Sequence, residues 1–466
     1  MKKRELMKLG VPGGKASKLA QEGIQQCREC RMNHGAIRAR IQEVVAAPHD
    51  YTGDPHFGPL ARELANTSSL RAAYHEREVP APYSRWGDGL DPKSERQMYH
   101  ACRLPVSVAG ALMPDAHVGY GLPIGGVLAT RKAVIPYAVG VDIACRMKMT
   151  VLDMPVSSIR GSEGQMRNVL EQQTRFGIGA EFKEQRRDHP VLNEDWSFSP
   201  VTRRMHDKAW RQLGSSGSGN HFVEFGKLTL EETNLGLAPG EYVALLSHSG
   251  SRGPGAQVAQ HYSRMAMDVH AELPRELIHL AWLDLDGDSG QEYWHAMELM
   301  GRYAAANHEL IHRHIAKALK VGVLLDIENH HNFAWKESHF GEDVVVHRKG
   351  ATPAGKGTVG IIPGSMAAPG FVVRGRGSAR SMNSAAHGAG RAMSRTAAKR
   401  AFSWSEAQKL LAERDVVVIS AGLDEVPMAY KDIESVMASQ ADLVEILARF
   451  DPMLVKMAPA GEPAED

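Results

Sequence analysis

The chain has 466 residues, of which 43% are hydrophobic, and this is enough apolar material for one large core or two ordinary ones. Its charge is nearly balanced, with 55 Lys and Arg against 54 Asp and Glu, so any nucleic-acid site would have to be a local basic patch. The four cysteines are too few for the disulfide framework of a secreted protein, and no run of roughly 18 apolar residues occurs, so we expect a cytoplasmic protein without a membrane partner.

The first 95 residues are predicted to form an amino-terminal extension. They are polar and broken by Pro and Gly, with little periodic apolar pattern, which favours short helices and loops wrapping a core that starts later. Cys27 and Cys30 have the spacing of half a zinc knuckle, but no second such pair exists, so two cysteines on one helical turn is the favoured interpretation. The sequence shows no internal repeat and no long linker, so residues 96–466 are predicted to be one domain.

The rest of the chain alternates between predicted strands and helices. Gly, Val and Ile with Pro punctuation predict short buried strands and tight turns over 112–154. Helical spacing of apolar residues predicts helices over 161–177 and 293–319. Further strands are predicted over 241–246, 343–346, 371–373 and 415–419. Each runs into a polar or glycine-rich segment, so we expect the chemically active residues where strands end.

Five potential metal ligands lie beside glycine or small polar residues, and they are Asp142, Cys145, His221, His248 and His331. An Asp three residues before a Cys can turn carboxylate and thiolate toward one point in a tight turn. Taken singly, Cys145 is better interpreted as an inert buried cysteine, and each of the three histidines as a surface residue in a chain with 22 histidines. Together they could hold two ions if the thiolate bridges them, an arrangement that suits in-line displacement at phosphorus. The donor types leave manganese, zinc and cobalt open.

A second metal motif competes with this interpretation. His308, Glu309 and His312 form a literal HExxH pattern, in which two histidines share a helix face and the Glu could act as a base in a zinc metalloprotease. The longer metzincin form fails, because Ile315 and Ala318 occupy the places that need Gly and His. The short pattern also arises by chance in a histidine-rich chain, so the protease is the minor alternative.

Two glycine-rich segments, residues 360–366 and the turn around His387, are suited to phosphate binding. Small residues let backbone N–H groups approach phosphate oxygens. Nearby arginines could supply charge-assisted donors, and they are Arg374, Arg376, Arg380, Arg391 and Arg395. A histidine followed by glycine can attack phosphorus through one ring nitrogen while the other is held by a hydrogen bond; binding phosphate as a cation is its alternative role. The whole pattern favours metal-assisted phosphoryl chemistry.

Long motifs along the chain resemble, in order, those of the RtcB family of RNA ligases. They are residues 113–126 (MPDAHVGYGLPIGG), 139–145 (VGVDIAC), 219–224 (GNHFVE), 248–253 (HSGSRG), 330–333 (HHNF), 347–351 (HRKGA), 361–366 (IIPGSM) and 387–395 (HGAGRAMSR). The match runs from about residue 112 to residue 456. The resemblance implies an α+β fold, with residues 96–466 as one RtcB-like catalytic domain of mixed β-sheets and flanking helices around a central cleft for metal and nucleotide.

The resemblance also implies an activity, namely GTP-dependent and manganese-dependent joining of RNA 3′-phosphate or 2′,3′-cyclic phosphate ends to 5′-hydroxyl ends, in RNA repair or tRNA splicing. Broken RNA would be the substrate, and an archease-type activator is a candidate partner. By motif, Cys145 would bridge two Mn²⁺ ions, with His248 and His331 completing one site and Asp142 and His221 the other. His387 would be the nucleophile that carries GMP.

The GTP contacts that the resemblance implies are Asn220, His221, Phe222, Val223, Glu224, His331, Asn332, Pro363, Gly364, Ser365, Met366, Gly370, His387, Gly388, Ala389, Gly390 and Lys456. Lys456 resembles the family's guanine-reading lysine.

The chain departs from the family pattern at three places. The metal loop, usually Asp-Ile-Gly-Cys-Gly, here ends in Arg146, whose guanidinium could weaken the thiolate ligand or grip RNA phosphate. Gly370 and Ala386 stand where serines are usual. Arg146 and Gly370 motivate a second hypothesis, an RtcB homologue that binds RNA without ligating it.

Overall fold

A computed structural model describes residues 1, 3–12, 15–73, 75–183 and 186–462. Contacts divide the chain into two compact units, an amino-terminal unit (Met1–His75 with His270–Ile278) and a main unit (Glu76–Val269 with His279–Asp466). The division at residue 95 into an amino-terminal extension and a catalytic domain stays a prediction.

The described helices are α1 (Lys3–Lys8), α2 (Lys15–Glu29), α3 (His34–Ala46), α4 (Gly58–Ala73), α5 (Pro92–Cys102), α6 (Pro136–Val139), α7 (Ser157–Gly161), α8 (Glu163–Gln173), α9 (Pro200–Gln212), α10 (Arg252–Val269), α11 (Asp288–Leu319), α12 (Arg395–Ala401), α13 (Trp404–Glu413) and α14 (Ile433–Ala438).

The described strands are β1 (Tyr83–Arg85), β2 (Ser107–His117), β3 (Ile124–Thr130), β4 (Ala133–Val134), β5 (Arg146–Leu152), β6 (Phe222–Leu230), β7 (Gly240–Ser249), β8 (Leu283–Asp284), β9 (Val323–His330), β10 (Asn332–His339), β11 (Glu342–Lys349), β12 (Ala351–Pro353), β13 (Val359–Ile362), β14 (Gly370–Gly375), β15 (Ser384–Ala386), β16 (Val417–Ser420) and β17 (Val444–Met457).

The amino-terminal unit has a core of its own, which differs from the predicted extension of short helices around a later core. Ile37, Ile41 and Val44 recur at helical spacing in α3 and are buried. They pack in one apolar cluster with residues of α1, α2 and α4, among them Leu6, Ile24 and Leu60. The sequence did not predict this separate core, because apolar residues are sparse along each helix and form a core only where the helices pack together.

The largest sheet of the main unit is nearly closed. Its strands follow the order β13-β14-β17-β6-β7-β5-β9, and β16 pairs with β17. One apolar cluster draws residues from all seven strands of this path, so it fills the inside of the curved sheet. The side-chain amide of Asn329 on β9 bonds both the N–H and the C=O of Ile361 on β13, which links the two edge strands.

Helices cover the outer face of this sheet. Val223, Phe225, Val243 and Leu245 point outward and pack with residues of α7, α8 and α11. Since side chains alternate along a strand, even-numbered residues of β6 and β7 point inward, and this parity decides which side chains can reach the interior.

A second sheet, in the order β1-β2-β3-β11-β10, and the pair β12-β15 complete the part of the main unit that concerns the site. The predicted α+β architecture of mixed β-sheets with flanking helices is confirmed. Within the described part of the chain, no helix combines the length and apolarity needed to span a membrane.

Candidate metal centre and nucleotide cleft

The five predicted ligands meet at one end of the large sheet. Cys145 directly precedes β5 and His221 directly precedes β6, whereas His248 lies near the end of β7 and His331 directly follows β9. Because these strands are antiparallel, the starts of β5 and β6 lie beside the ends of β7 and β9. The expectation that ligands lie where strands end is therefore wrong for Cys145 and His221, which lie where strands begin.

The ligand atoms form two triads that share one sulfur. Cys145 Sγ lies 3.0 Å from His248 Nε2 and 3.4 Å from His221 Nε2. His248 Nε2 is 3.1 Å from His331 Nε2, and His221 Nε2 is 3.1 Å from Asp142 Oδ2. Cys145, His248 and His331 form one potential metal group, and Asp142, Cys145 and His221 form the other. Within each group the ligand atoms lie within 4.8 Å of one another.

Three backbone features hold the Asp142 loop against β7 and β10. A Cβ on Gly250 would collide with the Asp142 carboxylate, so a glycine is required there. The N–H of Ser251 donates to Asp142 Oδ1 at 3.1 Å. Ala144 adopts a φ of 57°, a left-handed conformation that favours glycine, and its N–H donates to the carbonyl of Asn332.

The electrostatics of the site suit cation binding. Burial lowers the pKa of His248 to about 3 and holds that of His331 well below its ordinary value, so both imidazoles are neutral and keep a lone pair. His248 Nδ1 donates to the carbonyl of Asn220 and His221 Nδ1 to that of Ser216, so each Nε2 is turned toward the Cys145 thiol. Burial raises the pKa of Asp142, but hydrogen bonding and charge from His221 outweigh it and lower that pKa. This donor set fits two divalent cations.

His387 lies next to this cluster, with its ring 4.9 Å from the ring of His331. Its Nδ1 is 2.6 Å from Asp115 Oδ2, and its backbone N–H donates to the same oxygen at 3.2 Å. The Asp115 side chain is fully buried. Because a carboxylate only accepts, the neutral His387 ring carries its proton on Nδ1 and has its lone pair on Nε2. Sequence reasoning missed Asp115, although it is an isolated acid in the buried strand β2.

A cleft of about 740 Å³ opens over the metal cluster and His387. Of the predicted GTP contacts, those that line it are Asn220, His221, Phe222, Glu224, His331, Asn332, Pro363, Gly364, Ser365, Met366, Gly370, His387, Gly388, Ala389 and Gly390. Val223 points to the outer face instead. Lys456 also lies outside the lining, because its neighbours Val455 and Met457 face the cleft. Its ammonium donates to Leu170 O and Thr174 Oγ1 on the outer face, each at 3.2 Å.

One acidic side chain lies deep in the cleft. Glu224 points inward from β6 and is 5% exposed. Burial raises the pKa of its carboxyl well above the ordinary value. A buried carboxyl of this kind is available to a ligand that brings hydrogen-bond donors. The ring of Phe222, two residues earlier, lines the same region.

Two of the five arginines predicted to bind phosphate line the cleft. Arg391 donates to Asp424 O at 2.7 Å, and Arg395 forms an ion pair with Glu425. The other three have partners elsewhere: Arg374 bonds Asn234, Arg376 bonds the carbonyl of Val444, and Arg380 stacks over Trp86. Their predicted role at the phosphates is therefore not supported.

Arg146 does not reach the cleft. Met147 faces the inside of the sheet, so Arg146 points to the outer face, where it is 5% exposed. Its Nη2 lies 3.2 Å from His330 Nδ1, and its Nη1 is 3.9 Å from Glu328. Gripping RNA phosphate in the cleft, one of the two roles considered for Arg146, is thus incompatible with its position.

The HExxH motif supports β7 from its outer face. The ring nitrogens of His308 and His312 all have partners, which are Ser247 Oγ for both rings, Ser249 O for His308 and Thr150 Oγ1 for His312. Glu309 lies at the surface and pairs with Arg313. This geometry leaves no ring nitrogen for a zinc ion, so it does not favour the protease.

Comparison with known proteins shows the family of the chain. Residues 97–198 and 184–458 match the family model described as tRNA-splicing ligase RtcB. The chain is 33% identical over 399 residues to the RNA-splicing ligase RtcB of Escherichia coli strain K12, with 79% of this chain and 95% of that relative covered. It is 32% identical over 412 residues to the tRNA-splicing ligase RtcB of Methanococcus maripaludis, with 72% and 85% covered. It is 31% identical over 428 residues to the RNA-splicing ligase RtcB of Mycobacterium bovis, with 77% and 99% covered. The resemblance is confirmed, and the chain belongs to the RtcB family.

Proposed function

We propose that the chain is an RNA ligase that uses GTP and manganese to join an RNA 3′-phosphate, or a 2′,3′-cyclic phosphate after hydrolysis, to a 5′-hydroxyl end. The observation that carries this proposal is the pairing of His387 with the buried Asp115, beside two triads of metal ligands in one cleft. The relatives are RNA-splicing and tRNA-splicing ligases, which supports RNA as the substrate.

The two triads would hold two Mn²⁺ ions with the Cys145 thiolate shared between them. When bound, such a pair neutralises charge on phosphate oxygens and stabilises displacement at phosphorus. Manganese is proposed from the family, because thiolate, imidazole and carboxylate donors by themselves suit several divalent metals.

His387 would start the reaction by attacking the α-phosphorus of GTP. Its Nε2 forms an N–P bond, and pyrophosphate leaves. Asp115 keeps the proton on Nδ1, so that Nε2 has its lone pair, and it stabilises the positive charge that the ring gains. A carboxylate that orients and balances a histidine serves the same purpose in hydrolases with a catalytic triad.

Two further displacements would complete the joining. An oxygen of the RNA 3′-phosphate attacks the guanylate phosphorus, His387 leaves, and a diphosphate links RNA to guanosine. The 5′-hydroxyl then attacks the RNA phosphorus of that linkage, loses its proton, and GMP departs. The junction phosphate therefore comes from the 3′-phosphate end.

Glu224 would select guanine over adenine. Guanine presents N1–H and N2–H donors on one edge; these donors would favour the ionised form of the buried carboxyl, which would accept from both, whereas adenine has no donor at N1. The phosphates would lie toward the loop of Pro363 and the turn after His387, which are joined by a hydrogen bond from Ala389 N to Pro363 O at 3.1 Å.

The alternative of an RNA-binding homologue without ligation is less well supported. It was motivated by Arg146 and Gly370, but Arg146 lies behind the sheet and Gly370 leaves the cleft open. The contact of His387 with Asp115 beside both ligand triads supports ligation over binding alone.

Self-guanylation tests the proposal. The wild-type chain, incubated with α-³²P-labelled GTP and MnCl₂, should retain label on a denaturing gel, and His387→Ala should retain none. His295→Ala, at an exposed histidine of α11, serves as the matched control and should label like the wild type. Metal content is measured in all three proteins. A wild type that binds metal but takes up no label would favour the RNA-binding alternative, and label on His387→Ala would assign the nucleophile elsewhere.

A further inference from the structure

Three aromatic rings pack against one another at the rim of the cleft. Tyr137 and His279 stand edge to face with centroids 4.7 Å apart, and Tyr120 stands edge to face with His279 at 5.8 Å. Tyr120 and Tyr137 line the cleft, and Tyr120 is 65% exposed. We call this group the aromatic ledge; it consists of Tyr120, Tyr137 and His279. A ring that is both supported and exposed offers a face on which another ring can stack.

The backbone holds the ledge in place. Gly121 has a φ of 70°, and a Cβ there would lie 2.7 Å from the carbonyl oxygen of His279. The chain beside Tyr120 is thus in close contact with the His279 backbone. The carbonyl of Tyr120 accepts a hydrogen bond from Lys349 Nζ at 2.6 Å. A fixed platform loses little conformational entropy when a ligand binds.

Lys349 connects the ledge to the nucleophile. It is 7% exposed and lines the cleft. The next residue, Gly350, lies so near His387 that a Cβ on it would be 3.2 Å from His387 Cε1. Its N–H donates to Asn332 Oδ1 at 2.8 Å, beside the metal ligand His331. Lys349 therefore joins the two places: its backbone precedes the glycine beside His387, and its amine lies at the ledge, where it can donate to a phosphate.

The occupant follows from this position and from the proposed function, on which the inference depends. Glu224 and Phe222 supply the place for the base of GTP, so the ledge is free for the other reactant that must reach a guanylated His387. That reactant is the RNA 3′-phosphate, and single-stranded RNA is bound through bases stacked on aromatic side chains. We propose that the aromatic ledge binds the terminal base of the RNA strand that carries the 3′-phosphate, with the phosphate beside Lys349.

Equilibrium binding tests this site. The probe is a ten-nucleotide RNA with a 3′-phosphate and a fluorescein at its 5′ end, measured by anisotropy with MnCl₂ and without GTP. Tyr120→Ala should weaken binding by roughly 5- to 150-fold, the range for loss of one stacked base. Tyr120→Phe should bind like the wild type, because stacking does not need the hydroxyl. Tyr99→Ala, on α5 and 41% exposed, is the control outside the cleft and should also bind like the wild type.

A second probe isolates the base. This probe has an abasic 3′-terminal nucleotide, and on it the affinities of the wild type and of Tyr120→Ala should become nearly equal. Equal affinity of the wild type and Tyr120→Ala for the first probe, or an unchanged difference on the abasic probe, would overturn the proposal. A third probe carries a free 5′-hydroxyl and has its fluorescein at the 3′ end. Weaker binding of Tyr120→Ala to this probe alone would also overturn the proposal. These measurements contain no GTP, so the ledge is judged on binding alone, and the ligase proposal is judged on guanylation of the wild type.

Discussion

Replacing Asp115 by Asn tests how His387 becomes a nucleophile. Asn has nearly the same volume, and its Oδ1 can still accept from His387 Nδ1, so the change removes mainly the negative charge. In the wild type, His387 Nδ1 and Asp115 Oδ2 are 2.6 Å apart. The centres of charge of the carboxylate and of an imidazolium would then lie roughly 4 Å apart. At an effective dielectric constant of about 20 their attraction is about 4 kcal/mol. Losing it should slow guanylation by about a thousandfold.

The assay is a single-turnover measurement of the GMP adduct, with saturating labelled GTP and MnCl₂ and quenching over time. Asp88→Asn, at an exposed aspartate, is the matched control and should keep the wild-type rate. Metal content and thermal unfolding of each variant show whether the site stays assembled. A rate for Asp115→Asn within tenfold of the wild type, with metal retained, would refute the assigned role of the carboxylate.

Three other predictions concern single side chains. Glu224→Gln should weaken GTP binding by about 10- to 100-fold, the effect of losing a hydrogen bond to a charged group, and should leave ATP binding nearly unchanged, as measured by competition in the guanylation assay; equal losses for both nucleotides would contradict guanine reading. Burial lowers the pKa of Lys349 to about 7, so its ammonium is charged below that pH and neutral above it. Binding of the 3′-phosphate RNA should therefore weaken as the pH rises from 6 to 9 in the wild type but not in Lys349→Met, and parallel pH profiles would argue against a phosphate contact. Ala144→Gly should raise the free energy of unfolding by up to about 1 kcal/mol in urea, because it relieves a left-handed alanine at φ 57° and the flexibility of glycine only partly offsets that gain; a destabilised variant would show that the loop is not strained.

Residue type and local spacing were enough to identify the side chains that meet at the end of the large sheet. Cys145, His221 and His331 stand next to strands in tight polar turns, a pattern that is visible in the sequence. Their convergence depends on antiparallel pairing of β7 with β5 and β6 and of β5 with β9, which no short motif specifies. This is why the sequence predicted the ligands but placed two of them at the wrong ends of their strands.

The direction of some side chains could not be predicted. In β17 the pairing register shifts between Pro452 and Leu454. Phe450 consequently faces the inside of the sheet and Leu454 the outside, although both have even numbers. Lys456 follows Leu454 to the outer face. A one-residue irregularity of this kind reverses the face of every later side chain and leaves no clear mark in the sequence.

The partner of His387 was missed for a different reason. Asp115 and His387 are 272 residues apart in the chain. Neither the strand that carries Asp115 nor the turn that carries His387 indicates the other, so only the folded chain shows the pair. The resemblance to a family suggested His387 as the nucleophile, and the geometry suggested Asp115 as the group that would activate it.

The most direct test of the central claim follows one phosphorus atom. An RNA strand labelled with ³²P in its 3′-phosphate is incubated with a 5′-hydroxyl strand, GTP, MnCl₂ and the wild-type chain. We predict that the label appears in the joined strand and resists phosphatase, because the 3′-phosphate becomes the junction. Release of the label as free phosphate, or no joined strand from a protein that holds its metals, would contradict the account.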